Sequence, residues 1–184
     1  HFGGLVAGAV LMAAYMAIKQ VQAPVNQAQA QADAAQPLQD AIARAQRYTD
    51  ALQFDRATPA WRAAAKLAPG DPKVLQAWFD CARHTPGGDD FHAAARRIFK
   101  LNARDSAICQ LQHRSYRIYA DKAQPGPRIS VDTLHGLVRS FVRVEAFADA
   151  ERLCQALKAS AEHPQWPATL SLMVNGLSRS GRVE

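Results

Sequence analysis

The sequence predicts an all-α protein: one N-terminal transmembrane helix followed by an α-solenoid of antiparallel helix pairs. Three observations predict it. The chain opens on an uncharged apolar run from Phe2 to Ile18. Beyond that run alanine, leucine, glutamine and arginine dominate and β-branched residues are few, which favours helices on intrinsic propensity. Large and small apolar residues then recur at fixed offsets, the mark of a repeated structural unit. The expected boundaries are a transmembrane helix over 1–20, a flexible linker over 21–36 and a repeat domain over 37–184.

The run from Phe2 to Ile18 spans about 25 Å as a helix, close to a hydrocarbon core of about 30 Å. A secretory signal would start with basic residues and close on a small-residue cleavage site. This run instead passes into Ile18-Lys19-Gln20. Lys19 is the nearby cation, so the helix is expected to end on the cytoplasmic side, with the repeat domain cytoplasmic and the anchor in a bacterial inner membrane. Within the run His1, Gly4 and Gly8 stand at i, i+3 and i+7 and share one face. Gly4-xxx-Gly8 clears that face of side chains, letting another helix approach closely. The histidine at its head then faces a helix–helix interface, where an ionisable group is costly and hence a candidate for function. Tyr15, on the same face, suits an interfacial anchor.

His1-Phe2-Gly3-Gly4-Leu5-Val6-Ala7-Gly8 resembles the last core transmembrane helix of rhomboid intramembrane serine proteases. In that family a histidine followed by glycines three and seven residues on is general base for a serine in a Gly-x-Ser-Gly motif on another helix. The family's helix runs from the outer side inward, the polarity expected from Lys19. The resemblance implies a catalytic role for His1 and helix-packing roles for Gly4 and Gly8. It fits the chemistry, since a serine hydroxyl is a poor nucleophile until a neutral imidazole accepts its proton. No Gly-x-Ser-Gly occurs in the chain. The nucleophile and the preceding helices are therefore expected upstream of His1, and the sequence, which stops at Val183-Glu184 inside a motif, reads as the C-terminal part of a longer polypeptide.

After the linker, with Pro24 and its glutamine and alanine tract, the boundary falls at Pro37. Ala41, Arg44, Ala45 and Tyr48, then Phe54, Ala57-xxx-Trp61, Ala64 and Pro69 resemble a tetratricopeptide repeat, with Arg44 standing where an apolar residue is expected. The register returns at Phe91-Ala94, Phe147-Ala150 and Val183, at intervals of 37, 56 and 36 residues. First helices fit at Leu75, Trp78, Phe79 and Ala82, at Leu134, Leu137, Val138 and Phe141, and at Leu170, Met173, Val174 and Leu177. Between Ala82 and Phe91 the segment His84-Thr85-Pro86-Gly87-Gly88-Asp89 makes a longer turn. The long middle interval is filled by an additional helix over Asp105–Ala123, with Tyr116 and Tyr119 filling its junction. In such an array small residues let paired helices approach while the large ones bury against the next pair. The resemblance implies a protein or peptide partner.

Asn175-Gly176-Leu177-Ser178-Arg179-Ser180-Gly181 also resembles one turn of a pentatricopeptide repeat, an RNA reader. Irregular intervals do not suit a base-by-base code, and the net charge of +6 is spread without a dense run. No nucleic-acid partner is expected. Arg44, Arg47, Arg62, Lys66, Arg96, Arg97, Arg114 and Arg117 are read as solvated helix faces. Cys81, Cys109 and Cys154 show no CxxC spacing and are expected as buried reduced thiols. His84, His92, His113, His135 and His163 lack metal-ligand spacing and no phosphate-cradling glycine loop occurs, so neither metal nor cofactor is implied. The sequence thus points to the tail of a rhomboid-type serine protease, bound to the membrane and to other transmembrane helices of its own polypeptide. A non-enzymatic membrane-anchored repeat scaffold is the alternative.

Overall fold

The computed structural model describes residues 35–86, 88–122, 129–160 and 162–181. Among them the protein is all-α. Helix α1 covers 35–50, and α2 (Phe54–Leu67), α3 (Pro72–Ala82), α4 (Asp89–Phe99), α5 (Ser106–Lys122), α6 (Val131–Arg143), α7 (Phe147–Leu157) and α8 (Trp166–Arg179) follow, with a 3-10 turn over Lys158–Ser160. Helix is already in place at residue 35, two residues before the expected boundary at Pro37. The additional helix is α5, within a residue of its expected limits at each end. The expected membrane span over 1–20 lies outside the described residues, as does the linker apart from its last two positions. Among the described residues no helix is long and apolar enough to cross a membrane.

Local chemistry sets the helix starts. Asp71 caps α3, its Oδ1 accepting from the Lys73 and Val74 amides at 2.8 and 3.2 Å, with Pro72 in the first turn where a missing N–H costs nothing. Ser130 caps α6 and Asp105 receives the Ile108 amide at the start of α5. From α2 onward each helix packs against its successor, and α3 with α5, α4 with α6 and α6 with α8 pack across one intervening helix. Buried side chains form one apolar cluster from Ala45 to Met173. Ala45, Ala57, Ala94 and Ala150 are fully buried, as close helix approach requires.

Three turns share one geometry. After Tyr48 the amides of Gln53 and Ala51 return to the carbonyls of Tyr48 and Arg47 at 2.9 and 3.2 Å, with Leu52 left-handed at φ 55°. After Phe141 the amides of Ala146 and Val144 return to Phe141 and Ser140 at 2.9 and 3.2 Å, with Glu145 at φ 60°. After Leu177 the Ser180 amide returns to Gly176 at 3.1 Å, with Gly181 at φ 67°. This is the carbonyl-satisfying helix stop in which one residue turns left-handed. The α3–α4 turn is longer and folds back on α2: the His84 ring stacks on Phe54 at 4.6 Å and the Thr85 hydroxyl lies 2.7 Å from that of Thr58.

Helix α5 fills its junction with rings. Tyr119 is fully buried against Phe91 and Phe99, its hydroxyl 2.8 Å from His92 Nδ1, and Tyr116 lies between Phe99 and Phe141. Helix α8 comes so close that a Cβ on Gly176 would sit 2.7 Å from Val142 Cγ1 and 3.0 Å from Phe147 Cε1. Its expected core positions divide. Met173 is buried, whereas Leu170 and Val174 are 47% and 51% exposed. The positions matching Val174 in the register are Ala45 and Val138, both 0% exposed. Those lie on helices whose following helix is described, α2 and α7, and α8 is the last described helix.

Candidate functional site

The sequence-predicted site residues His1, Gly4 and Gly8 lie outside the described residues. Within them, polar side chains converge on α6 from both of its neighbours. On the α5 side Gln112 is buried. Its amide nitrogen faces the carbonyls of Ile98, Phe99 and Leu101 at 3.1, 3.3 and 2.9 Å, and its oxygen accepts the Ser140 hydroxyl at 2.5 Å. These carbonyls lie at and just past the end of α4, where that of Ile98 also accepts the Leu101 amide at 3.1 Å and Gln112 supplies a donor for those of Phe99 and Leu101. His113 meets Asp149 at 2.7 Å, joining α5 to α7 beside Phe141, and Asp149 also pairs with Arg152 at 3.4 Å.

On the α8 side His135 is fully buried. Its Nδ1 lies 2.7 Å from the Thr169 hydroxyl, its ring stacks on His163 at 4.8 Å, and its Nε2 has no hydrogen-bond partner. Burial first, then His163 and Arg139, push this imidazole below the ordinary 6.5, against a smaller opposing pull from Asp132. A depressed histidine stays neutral in the fold while the unfolded chain takes up a proton below about pH 6.5. Stability is therefore expected to fall as pH drops below that value. Melting curves at pH 7.5 and 5.5 check this: His135→Gln should flatten the acid-side loss, and an unchanged slope would assign it to other groups.

The outer face of α6 is basic. Arg139 and Arg143, one turn apart and exposed, stand opposite the apolar stripe of Leu134, Leu137, Val138 and Phe141. Both line two clefts. One, of about 370 Å³, lies between α6 and the segment after α4 and includes Phe99, Lys100 and Leu101. The other, of about 710 Å³, lies between α6, the start of α7 and α8, and includes Val142, Phe147, Leu172 and Arg179. The sequence reading passed over these four cations; the i, i+4 spacing of the two arginines opposite an apolar stripe was the available signal. It also misjudged Arg97, read as solvated: its guanidinium lies 5.5 Å from the Trp78 ring and donates to the Ala65 carbonyl at 2.8 Å.

Among the described residues no group of three or more His, Cys, Asp or Glu is placed to hold a metal ion. The three cysteines are free, Cys81 and Cys109 buried and Cys154 half-buried. Burial raises the Cys81 and Cys154 thiols, which keeps them protonated and unreactive. The chain matches no protein-family model, and neither a curated protein nor a solved structure is significantly similar to it.

Proposed function

We propose that the described helices are a tetratricopeptide-like α-solenoid that binds a protein or peptide partner, held on the cytoplasmic side of a bacterial inner membrane by the last core helix of a rhomboid-type intramembrane serine protease. The observation that carries the repeat reading is the recurrence of one turn at Leu52, Glu145 and Gly181, each four residues after a large first-helix residue. The pairing of each helix from α2 onward with its successor, and of α3 with α5, α4 with α6 and α6 with α8, is what a stacked array of hairpins requires.

The catalytic half of the reading is supported by the sequence, through the spacing of His1, Gly4 and Gly8. In it the imidazole of His1 accepts the proton of a serine hydroxyl as that oxygen attacks a peptide carbonyl, then returns it to the leaving amine. Tight packing at the two glycines would hold the ring in place of a carboxylate partner. In the full-length protein His1→Ala is expected to abolish cleavage of a transmembrane reporter. Deletion of 37–184 is expected to change rate or targeting while leaving His1-dependent cleavage in place. Unchanged cleavage in His1→Ala would remove the histidine from the mechanism.

The Gly4-xxx-Gly8 strip also suits a non-enzymatic membrane-anchored scaffold, where it would pair one anchor with another. That reading predicts a protein without hydrolase activity, in which His1→Ala is silent and Gly4→Leu separates the anchors.

A further inference from the structure

We propose that the Arg139–Arg143 ridge of α6, with Lys100 on one side and Arg179 on the other, is a docking groove for an extended acidic segment of a protein partner, an assignment that rests on the interaction-module reading above. The two arginines belong to both clefts, Lys100 to the first and Arg179 to the second, so four cations are strung across three parts of the fold. Among the described residues no acid pairs with them. The ion pairs among the described residues are Arg62–Asp90, His113–Asp149, Arg152–Asp149 and His163–Asp132, and none includes these four.

The contacts the ridge does make leave capacity for a ligand. Arg139 reaches the neutral Gln165 Oε1 at 3.4 Å and Arg143 donates to the Ala103 carbonyl. A guanidinium has five N–H donors in a fork that matches a carboxylate, so most of each fork is free. Two acids lie on the cleft walls, Asp132 and Glu145. Asp132 is already engaged, by the Gln165 amide at 2.8 Å and by His163 at 3.4 Å. The wall charge therefore stays positive.

The clefts also have apolar surface, Leu101 in one and Val142 and Leu172 in the other. An extended peptide presents alternate side chains to opposite sides. One with carboxylates over the ridge and a bulky apolar residue to each side would satisfy the arginines and fill both clefts. Single-stranded nucleic acid fits less well, because its binding depends on exposed aromatic rings for base stacking. The aromatic residues here, Phe99 and Phe147, are only 4% and 6% exposed. A lipid surface fits less well because the apolar walls are recessed between helices, whereas interfacial binding uses an outward apolar face.

The test uses the full chain and a fluorescent peptide alternating glutamate and leucine, read by anisotropy. Binding is expected, weakening as salt screens the groove. Arg139→Glu with Arg143→Glu should weaken it by about tenfold or more, because each lost contact becomes a repulsion. Lys66→Glu with Lys73→Glu makes the same change in net charge at exposed positions outside both clefts, and should shift affinity by less than about twofold. Should the double glutamate variant fail to melt cooperatively, Arg139→Gln with Arg143→Gln is read in its place, with the same ordering. Equal losses in the two charge-reversed proteins would overturn the groove. Preference for a lysine–leucine or glutamine–leucine peptide would overturn the acidic assignment and leave the interaction module standing. Failure of every peptide to bind would overturn both. A single-stranded oligonucleotide or phosphatidylglycerol vesicles displacing the peptide, with their own binding lost in the ridge variant, would assign the ridge to that ligand and overturn the proposal.

Discussion

Gln112→Leu is expected to destabilise the fold by on the order of 3 kcal/mol or more, although leucine nearly matches glutamine in volume. The side chain is 2% exposed and its amide serves the carbonyls of Ile98, Phe99 and Leu101 while its oxygen receives Ser140. Leucine takes the donor away from the Phe99 and Leu101 carbonyls, whereas the Ile98 carbonyl keeps the Leu101 amide at 3.1 Å and the Ser140 hydroxyl keeps the Gly136 carbonyl at 3.2 Å, and each buried polar group left without a partner costs about 1–3 kcal/mol. Urea unfolding followed by far-ultraviolet circular dichroism measures the loss. Ser140→Ala, which removes the hydroxyl shared between Gln112 and the Gly136 carbonyl and leaves the three carbonyl contacts of Gln112, should cost about 1 kcal/mol. If the two variants are equally destabilised, the carbonyl-capping account is wrong.

Trp78→Ala is expected to cost about 3–5 kcal/mol, the range for truncating a buried large aromatic. Trp78 is 2% exposed, its indole N–H meets Asp90 at 3.1 Å, and the Arg97 guanidinium lies over its face. Alanine opens a cavity between α3 and α4 and removes one donor from a carboxylate that keeps Arg62, at 3.4 and 3.2 Å from its two oxygens. Trp78→Phe keeps most of the packing and loses the hydrogen bond, so its cost should fall nearer 1 kcal/mol. The same unfolding measurement separates them, and similar losses for phenylalanine and alanine would place the energy in the Asp90 bond instead.

The helical register was legible because its signal is steric. Ala45, Ala57, Ala94 and Ala150 are the residues a close helix crossing demands, and their spacing survives wherever the chain is read. The longer α3–α4 turn was legible from Pro86 and its glycines, but the return of His84 to Phe54 and of Thr85 to Thr58 was not, since nothing local encodes a contact with an earlier helix. Polar residues were less legible. Gln112 and His135 are buried, and nothing in their local sequence assigns them to the core, because their partners, Ser140 and Thr169, come from other helices. Arg97 reads as a solvated charge, yet the flat face of its guanidinium packs on an indole. The basic ridge needed the tertiary fold, for only Arg139 and Arg143 are neighbours in sequence and Lys100 and Arg179 are brought to them by packing. The expected anchor residues His1, Gly4 and Gly8 stand apart from all of this, since their reading rests on spacing within one segment.

The shared turn has a consequence for how this chain can change. Its bend is written in backbone hydrogen bonds and one left-handed residue, and that residue is leucine, glutamate or glycine in its three occurrences. Side chains there contribute little to the angle between the helices. The outward faces of a hairpin can therefore drift through many substitutions while its shape is inherited unchanged, which separates the history of the surface from that of the scaffold.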